Sequence, residues 1–132
     1  MYRRTPRRTP IGRCRRRRGR RQVRAQVQAM PDENGTRIIL CAGEFDVATS
    51  CLLDSALATA AADTTVKRTV VDLSQVSFAD STLLNALVKG HRTQRLVVAG
   101  PLSPRLWRIL RLSGLDTALR IAPDLRSTAD TE

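Results

Sequence analysis

The stretch "KRTVVDLSQVSFADSTLLNALVKG", residues 67–90, decides how this chain is read. Thr69, Val70 and Val71 form a β-branched run followed by Leu73, short and continuous enough for a strand buried on both faces. After Phe78 the period changes. Leu84, Leu87 and Val88 share one helical face and Leu83 widens it, so a helix is expected to begin at Asp80-Ser81-Thr82 and to end at Gly90. Asp80 and Ser81 suit that start because a side-chain oxygen there accepts from an otherwise unpaired backbone N–H. The trio is then either a cap alone or a cap that also presents a hydroxyl for modification.

Working outward, "VRAQVQA" from Val23 alternates apolar and polar residues as a half-buried strand does, and "ENGTRIILCAG" follows it through the turn signal Asn34-Gly35, which predicts a hairpin. Next, "DVATSCLLDSALATAAAD" places Leu53, Ala56, Leu57 and Ala60 at helical spacing with Asp46 near the start, predicting a first helix over about residues 47–62. Downstream of residue 90, "QRLVVAG" reads as another buried strand. Ser103 and Pro104 open a third helix with Leu106, Ile109 and Leu110 as its buried stripe, Gly114 stops it, and "LRIA" is a short last strand. The order predicts a single α/β domain: a mixed sheet of four to five strands with three or so helices packed on it through right-handed crossovers. In such sheets partners meet the carboxyl ends of the parallel strands, and the Asp-Ser-Thr trio occupies one of those places.

The formal net charge is +11, yet it belongs to one end of the chain. Residues 1–21 hold eleven arginines and no acid; removing them from the 23 basic residues leaves 12, against 12 acidic ones. Pro6, Pro10, Gly12 and Gly19 interrupt the leader and it has too few apolar residues to offset ordering, so residues 1–21 are expected to be disordered. Two readings compete for it. One is a phosphate-binding arm that contacts polyanions without sequence preference; the other is a passive extension upstream of a true start near Val23. Residues 22–123 then form the domain and residues 124–132 a flexible tail.

The three cysteines at 14, 41 and 51 have no metal-ligand spacing, and His91, the one histidine, has no partner in sequence with which to chelate. No metal or cofactor is expected. With no apolar run of membrane-spanning length and no secretory signal core, a reduced cytoplasmic protein is the simplest reading. An enzyme is disfavoured: Ser81 has neither a Gly-x-Ser-x-Gly elbow nor a base in view, and no P-loop is present. His91 reads as a cation at a helix C-terminus, Cys41 and Cys51 as small core residues, Cys14 as an exposed thiol, and Asp54 and Asp63 as solvated helix positions. Trp107 is either packing for the third helix or a partner contact beside Arg105, Arg108 and Arg111.

"AGEFDVAT", "VVDLSQVSFADST" and "LVVAGPLSPRLWRILRLSGLD", in that order and spacing, resemble the STAS domain of bacterial anti-sigma factor antagonists over nearly all of residues 23–122. The family carries Gly-Glu-Leu-Asp after the second strand, Asp-Leu-Ser before a strand end, Asp-Ser-Ser/Thr-Gly-Leu at the second helix and Ser-Gly-Leu after the third. The resemblance implies a switch protein without catalysis of its own. Unphosphorylated, it would bind an anti-sigma factor that is also a Ser/Thr kinase and so release a sigma factor; phosphorylation would end that binding. It implies Ser81 as the phosphoacceptor, with Asp46, Asp80, Thr82, Leu83 and Asn85 in the partner contact. Leu83 stands where the family usually has Gly, and Asn85 where a second Gly is common, so a bulky side chain is expected within one turn of Ser81. The alternatives are a binder of nucleic acid or anionic surfaces acting through the leader, and a STAS scaffold that is never phosphorylated.

Overall fold

The computed structural model describes residues 25–130, and the expectations for residues 1–21, including Cys14, lie outside them. The Asn34-Gly35 signal acts as expected. Both residues take positive φ, and Glu33 and Thr36 exchange backbone hydrogen bonds across the turn. The hairpin joins β1 (Ala25–Ala29) to β2 (Thr36–Phe45) in antiparallel register. Gly35 O then accepts from Lys67 N at 2.7 Å and Arg68 N at 3.1 Å, which ties the turn to the start of β3 (Arg68–Ala79).

Three parallel pairings follow, β2 with β3, β3 with β4 (Leu96–Ala99) and β4 with β5 (Arg120–Ala122), in the order β1-β2-β3-β4-β5. Because the order never reverses, right-handed crossovers place every connecting helix on the same face of the sheet. Packing agrees with that. Leu53 and Leu57 of α1 (Ser50–Ala62), Leu83 and Leu87 of α2 (Ser81–Thr93) and Leu106 and Leu110 of α3 (Pro104–Ser113) share one core with the strand residues Ile39, Val71, Leu73 and Val98. On the opposite face Val70, Val97, Ala99 and Ala122 form a smaller cluster. Arg126–Asp130, within the stretch read from sequence as a flexible tail, form a 3₁₀ turn; Arg68 Nη1 donates to Thr128 O at 2.6 Å, and Thr128 is buried.

Some boundaries differ from expectation. The first helix begins at Ser50 and not near residue 47, because Asp46 closes a separate turn ahead of it. Gly90 does not end α2, which continues to Thr93. A Cβ at residue 90 would lie 2.9 Å from Leu57 Cδ1, so this glycine lets α1 and α2 approach each other. Gly114, at φ 81°, does stop α3, and a short α4 (Leu115–Ala118) that the sequence reading missed follows it. Asp63, read as solvated, accepts from Arg37 at 2.8 Å while Arg37 grips Asp32 in a two-toothed pair, joining the hairpin to the end of α1.

Two irregularities in β3 matter for the site. Between Leu40 and Ala42, and again between Gly43 and Glu44, β2 advances one residue fewer than β3. Each extra residue flips the alternation of β3. Between the two bulges the flip brings Val76 to the core face, so the buried positions run Leu73, Val76, Ala79; the flips cancel beyond the second bulge, and Phe78 is 39% exposed.

Candidate functional site

Phe45 and Ala79 are register partners at the ends of β2 and β3, and Asp80 N donates to Phe45 O at 3.1 Å. The chain therefore leaves the sheet twice, side by side, at Asp46 and at Asp80. The Asp46 carbonyl accepts from Thr49 N and Ser50 N at 3.1 and 2.8 Å, and its Oδ1 accepts from Ala48 N at 3.0 Å. This turn lifts Val47 clear of the surface, 78% exposed.

At the neighbouring exit Asp80 is the N-cap of α2: its Oδ1 accepts from Thr82 N at 2.9 Å and also from the Thr82 hydroxyl. Thr82 Oγ1 lies 2.9 Å from Ser50 Oγ, a residue only 3% exposed. Since the single Thr82 hydroxyl proton goes to a carboxylate that can only accept, Ser50 must be the donor in the other bond. A chain Ser50 to Thr82 to Asp80 thus fastens the first turn of α1 to the first turn of α2. Sequence reading missed Ser50, and no local signal marks it.

Ser81, by contrast, is the first helical residue, exposed, and hydrogen-bonded through its side chain to no described residue. Asn85, one turn on, is also exposed. Leu83 corrects the expectation that placed it among partner contacts: it is 0% exposed and packs in the main core. It offers no surface to a partner and puts no bulk beside Ser81. The surface at this end of the sheet is built instead from Ser81, Asn85, half-buried Asp46 and Asp80, and the exposed apolar residues Val47 and Phe78. Neither Val47 nor Phe78 was anticipated, because one was assigned to a helix and the other to a strand end.

This arrangement is a surface and not a pocket. A crevice in a parallel sheet opens where neighbouring connections leave toward opposite faces, and here they all leave toward one. Among the described residues no group of His, Cys, Asp and Glu could hold a metal ion, and no helix is long and apolar enough to cross a membrane. Cys41 is 1% exposed, and burial, with a smaller contribution from the Asp72 charge, pushes its thiol far above the usual range, so it is an inert core residue. His91 sits in the last turn of α2 as expected, with Nδ1 buried and unpaired among the described residues.

An α/β sheet with its helices on one face and a capped Asp-Ser-Thr helix start at its carboxyl edge agrees with the STAS resemblance of the sequence. The family model described as "Mlab, STAS domain" matches residues 30–123, and the chain belongs to that family. Among solved structures, an anti-sigma factor antagonist from Mycobacterium paratuberculosis is similar at 25% identity and a TM-score of 0.72, covering 80% of this chain and 92% of that one. The anti-sigma factor antagonist SpoIIAA in its unphosphorylated form is similar at 16% identity and a TM-score of 0.61, covering 79% and 94%. The Bacillus cell fate determinant SpoIIAA in its phosphorylated form is similar at 20% identity and a TM-score of 0.61, covering 80% and 97%. No curated protein matches the chain by sequence.

Proposed function

We propose that this chain is an anti-sigma factor antagonist: unphosphorylated, it binds an anti-sigma factor of the Ser/Thr kinase type, and phosphate on Ser81 ends the binding. The observation that carries this reading is the contrast within the trio. Asp80 and Thr82 are committed to holding the helix start, whereas Ser81 between them projects to solvent with its hydroxyl uncommitted.

Phosphate on Ser81 would add about −1.5 to −2 charges at a helix N-terminus, where the dipole and the first N–H groups favour an anion. The fold need not move to accommodate it. In a partner interface the same charge would stand beside Asp80 and near Asp46, and its desolvation together with like-charge repulsion would oppose docking. Affinity then changes because the surface changes. The burial of Leu83 supports this reading over the unphosphorylated scaffold, since the bulk that motivated the scaffold points into the core.

The test is titration of the full chain against the anti-sigma factors of its host, with ATP and by intact-mass spectrometry. One added phosphate mapping to Ser81, retained binding by Ser81→Ala and loss of at least ~10-fold in affinity by Ser81→Asp are expected. Phosphate on Thr82, or equal binding by Ser81→Asp and the wild type, would refute the assignment.

A further inference from the structure

Between the end of β3 and the start of α3 runs a shallow crease lined by Val76, Phe78, Ser103, Arg105 and Ile109. Its lining takes in Phe78, two residues before Asp80, and Arg105 at the start of α3. The outer face of α3 is made by Arg105, Trp107, Arg108, Arg111 and Leu112, all exposed, with Trp107 at 36% and Leu112 at 79%.

The stability of the domain accounts for only one charge of this face, since Arg111 in the last turn is favoured by the helix dipole. Arg108 is three residues from both Arg105 and Arg111, so like charges face each other along the helix. Arg105 also lies in the first turn, where the dipole disfavours a cation, and that turn has no acid to compensate. None of the three guanidinium groups has an ion-pair partner among the described residues. The imbalance is local, because residues 25–130 carry eleven basic and eleven acidic residues. Arg105 and Arg108, which the helix does not favour, next to a large exposed leucine and a tryptophan are the kind of local inconsistency that marks a contact surface.

We infer that the outer face of α3 is a second docking area for the protein partner that meets Ser81, and that it takes an acidic surface carrying an apolar recess. The inference rests on the proposed function for the identity of that partner. The three arginines supply charge complementarity, and the crease sets Phe78, near Ser81 in the chain, beside Arg105 of α3. Leu112 and Trp107 favour protein over nucleic acid, since a phosphate backbone offers an exposed leucine nothing to cover it, whereas Arg and Trp together are typical of protein interfaces.

The experiment uses the full chain and an anti-sigma factor that binds it, found by pairwise titration of those encoded by the host, with a 20-base-pair duplex DNA as the competing probe. Three variants are compared with wild type: Ser81→Asp, the triple Arg105→Glu/Arg108→Glu/Arg111→Glu, and Leu112→Glu, each checked for an unchanged circular-dichroism melt. The triple variant should weaken partner binding by at least ~30-fold and flatten its salt dependence, and Leu112→Glu should weaken binding through a single exposed position if the triple fails to fold. If the triple and Leu112→Glu both bind as wild type while Ser81→Asp does not, the α3 inference is overturned and the proposed function stands. If the triple loses only duplex binding, the occupant is nucleic acid and the inference is overturned. If no anti-sigma factor binds the wild-type chain, the proposed function fails and this inference with it.

Discussion

Replacing Thr82 with valine keeps the shape of the side chain and removes one hydroxyl, which tests whether the two helix starts are coupled. In the folded protein that hydroxyl donates to Asp80 Oδ1 and accepts from Ser50, so its loss has two consequences. The bond to the carboxylate is worth roughly 1.5–3 kcal/mol, and the Ser50 hydroxyl, 3% exposed, is left without its acceptor at a cost of roughly 1–3 kcal/mol. Water can reach the half-buried Asp80 and recover part of the first loss, so a net destabilisation of about 2–4 kcal/mol is expected. Ser50→Ala removes only the outer donor and should cost about 0.5–1.5 kcal/mol. The double variant should cost less than the sum of the two by about 1 kcal/mol, because with Ser50 already truncated the valine strands nothing. Urea unfolding of all four proteins measures this. If the two single effects add to within ~0.5 kcal/mol, the hydroxyl chain does not couple the helices and the geometric argument is wrong.

Leu83→Ala should lower stability by about 2–5 kcal/mol, whereas Asn85→Ala should fall within about 0.5 kcal/mol of wild type; similar melts for the two would contradict the burial of Leu83. Gly90→Ala brings a methyl group within 2.9 Å of Leu57 Cδ1 and should destabilise by about 1 kcal/mol despite the better helix propensity of alanine, and Gly90→Val by more. A Gly90→Ala variant melting above wild type would show that Leu57 yields freely. The Asp63 carboxyl is held below its ordinary range first by hydrogen bonds from Thr65 and then by Arg37. Because its folded value is the lower one, its contribution is fully present above the unfolded value of 3.8 and is lost as pH falls through the folded value. Acid titration of stability should therefore fall less steeply below pH 3.8 for Asp63→Asn than for wild type, and parallel curves would refute the linkage.

Much of the architecture is legible in the sequence because its signals are local. The Asn34-Gly35 turn, the Asp80 cap, the Ser103-Pro104 start and the Gly114 stop each depend on the backbone preferences of one to three residues, and each does in the fold what those preferences require. The periodicity of residues 83–88 likewise put Leu83 at the edge of an apolar stripe. The family pattern drew it toward the surface, and its burial agrees with the periodicity.

What the sequence by itself determined is thus the order of the strands and the three longer helices, the α/β class and the placing of Ser81 at a helix start. The tertiary structure alone decided which side chains surround that serine. Two bulges against β2 turned Val76 to the core, since a strand's alternation depends on the register of its neighbour. Ser50 reached Thr82 across 32 residues of sequence only because parallel pairing set the two strand exits side by side. And Gly90, a helix stop by local preference, became the contact that lets α1 and α2 close, because the space left by Leu57 outweighs the propensity of one residue.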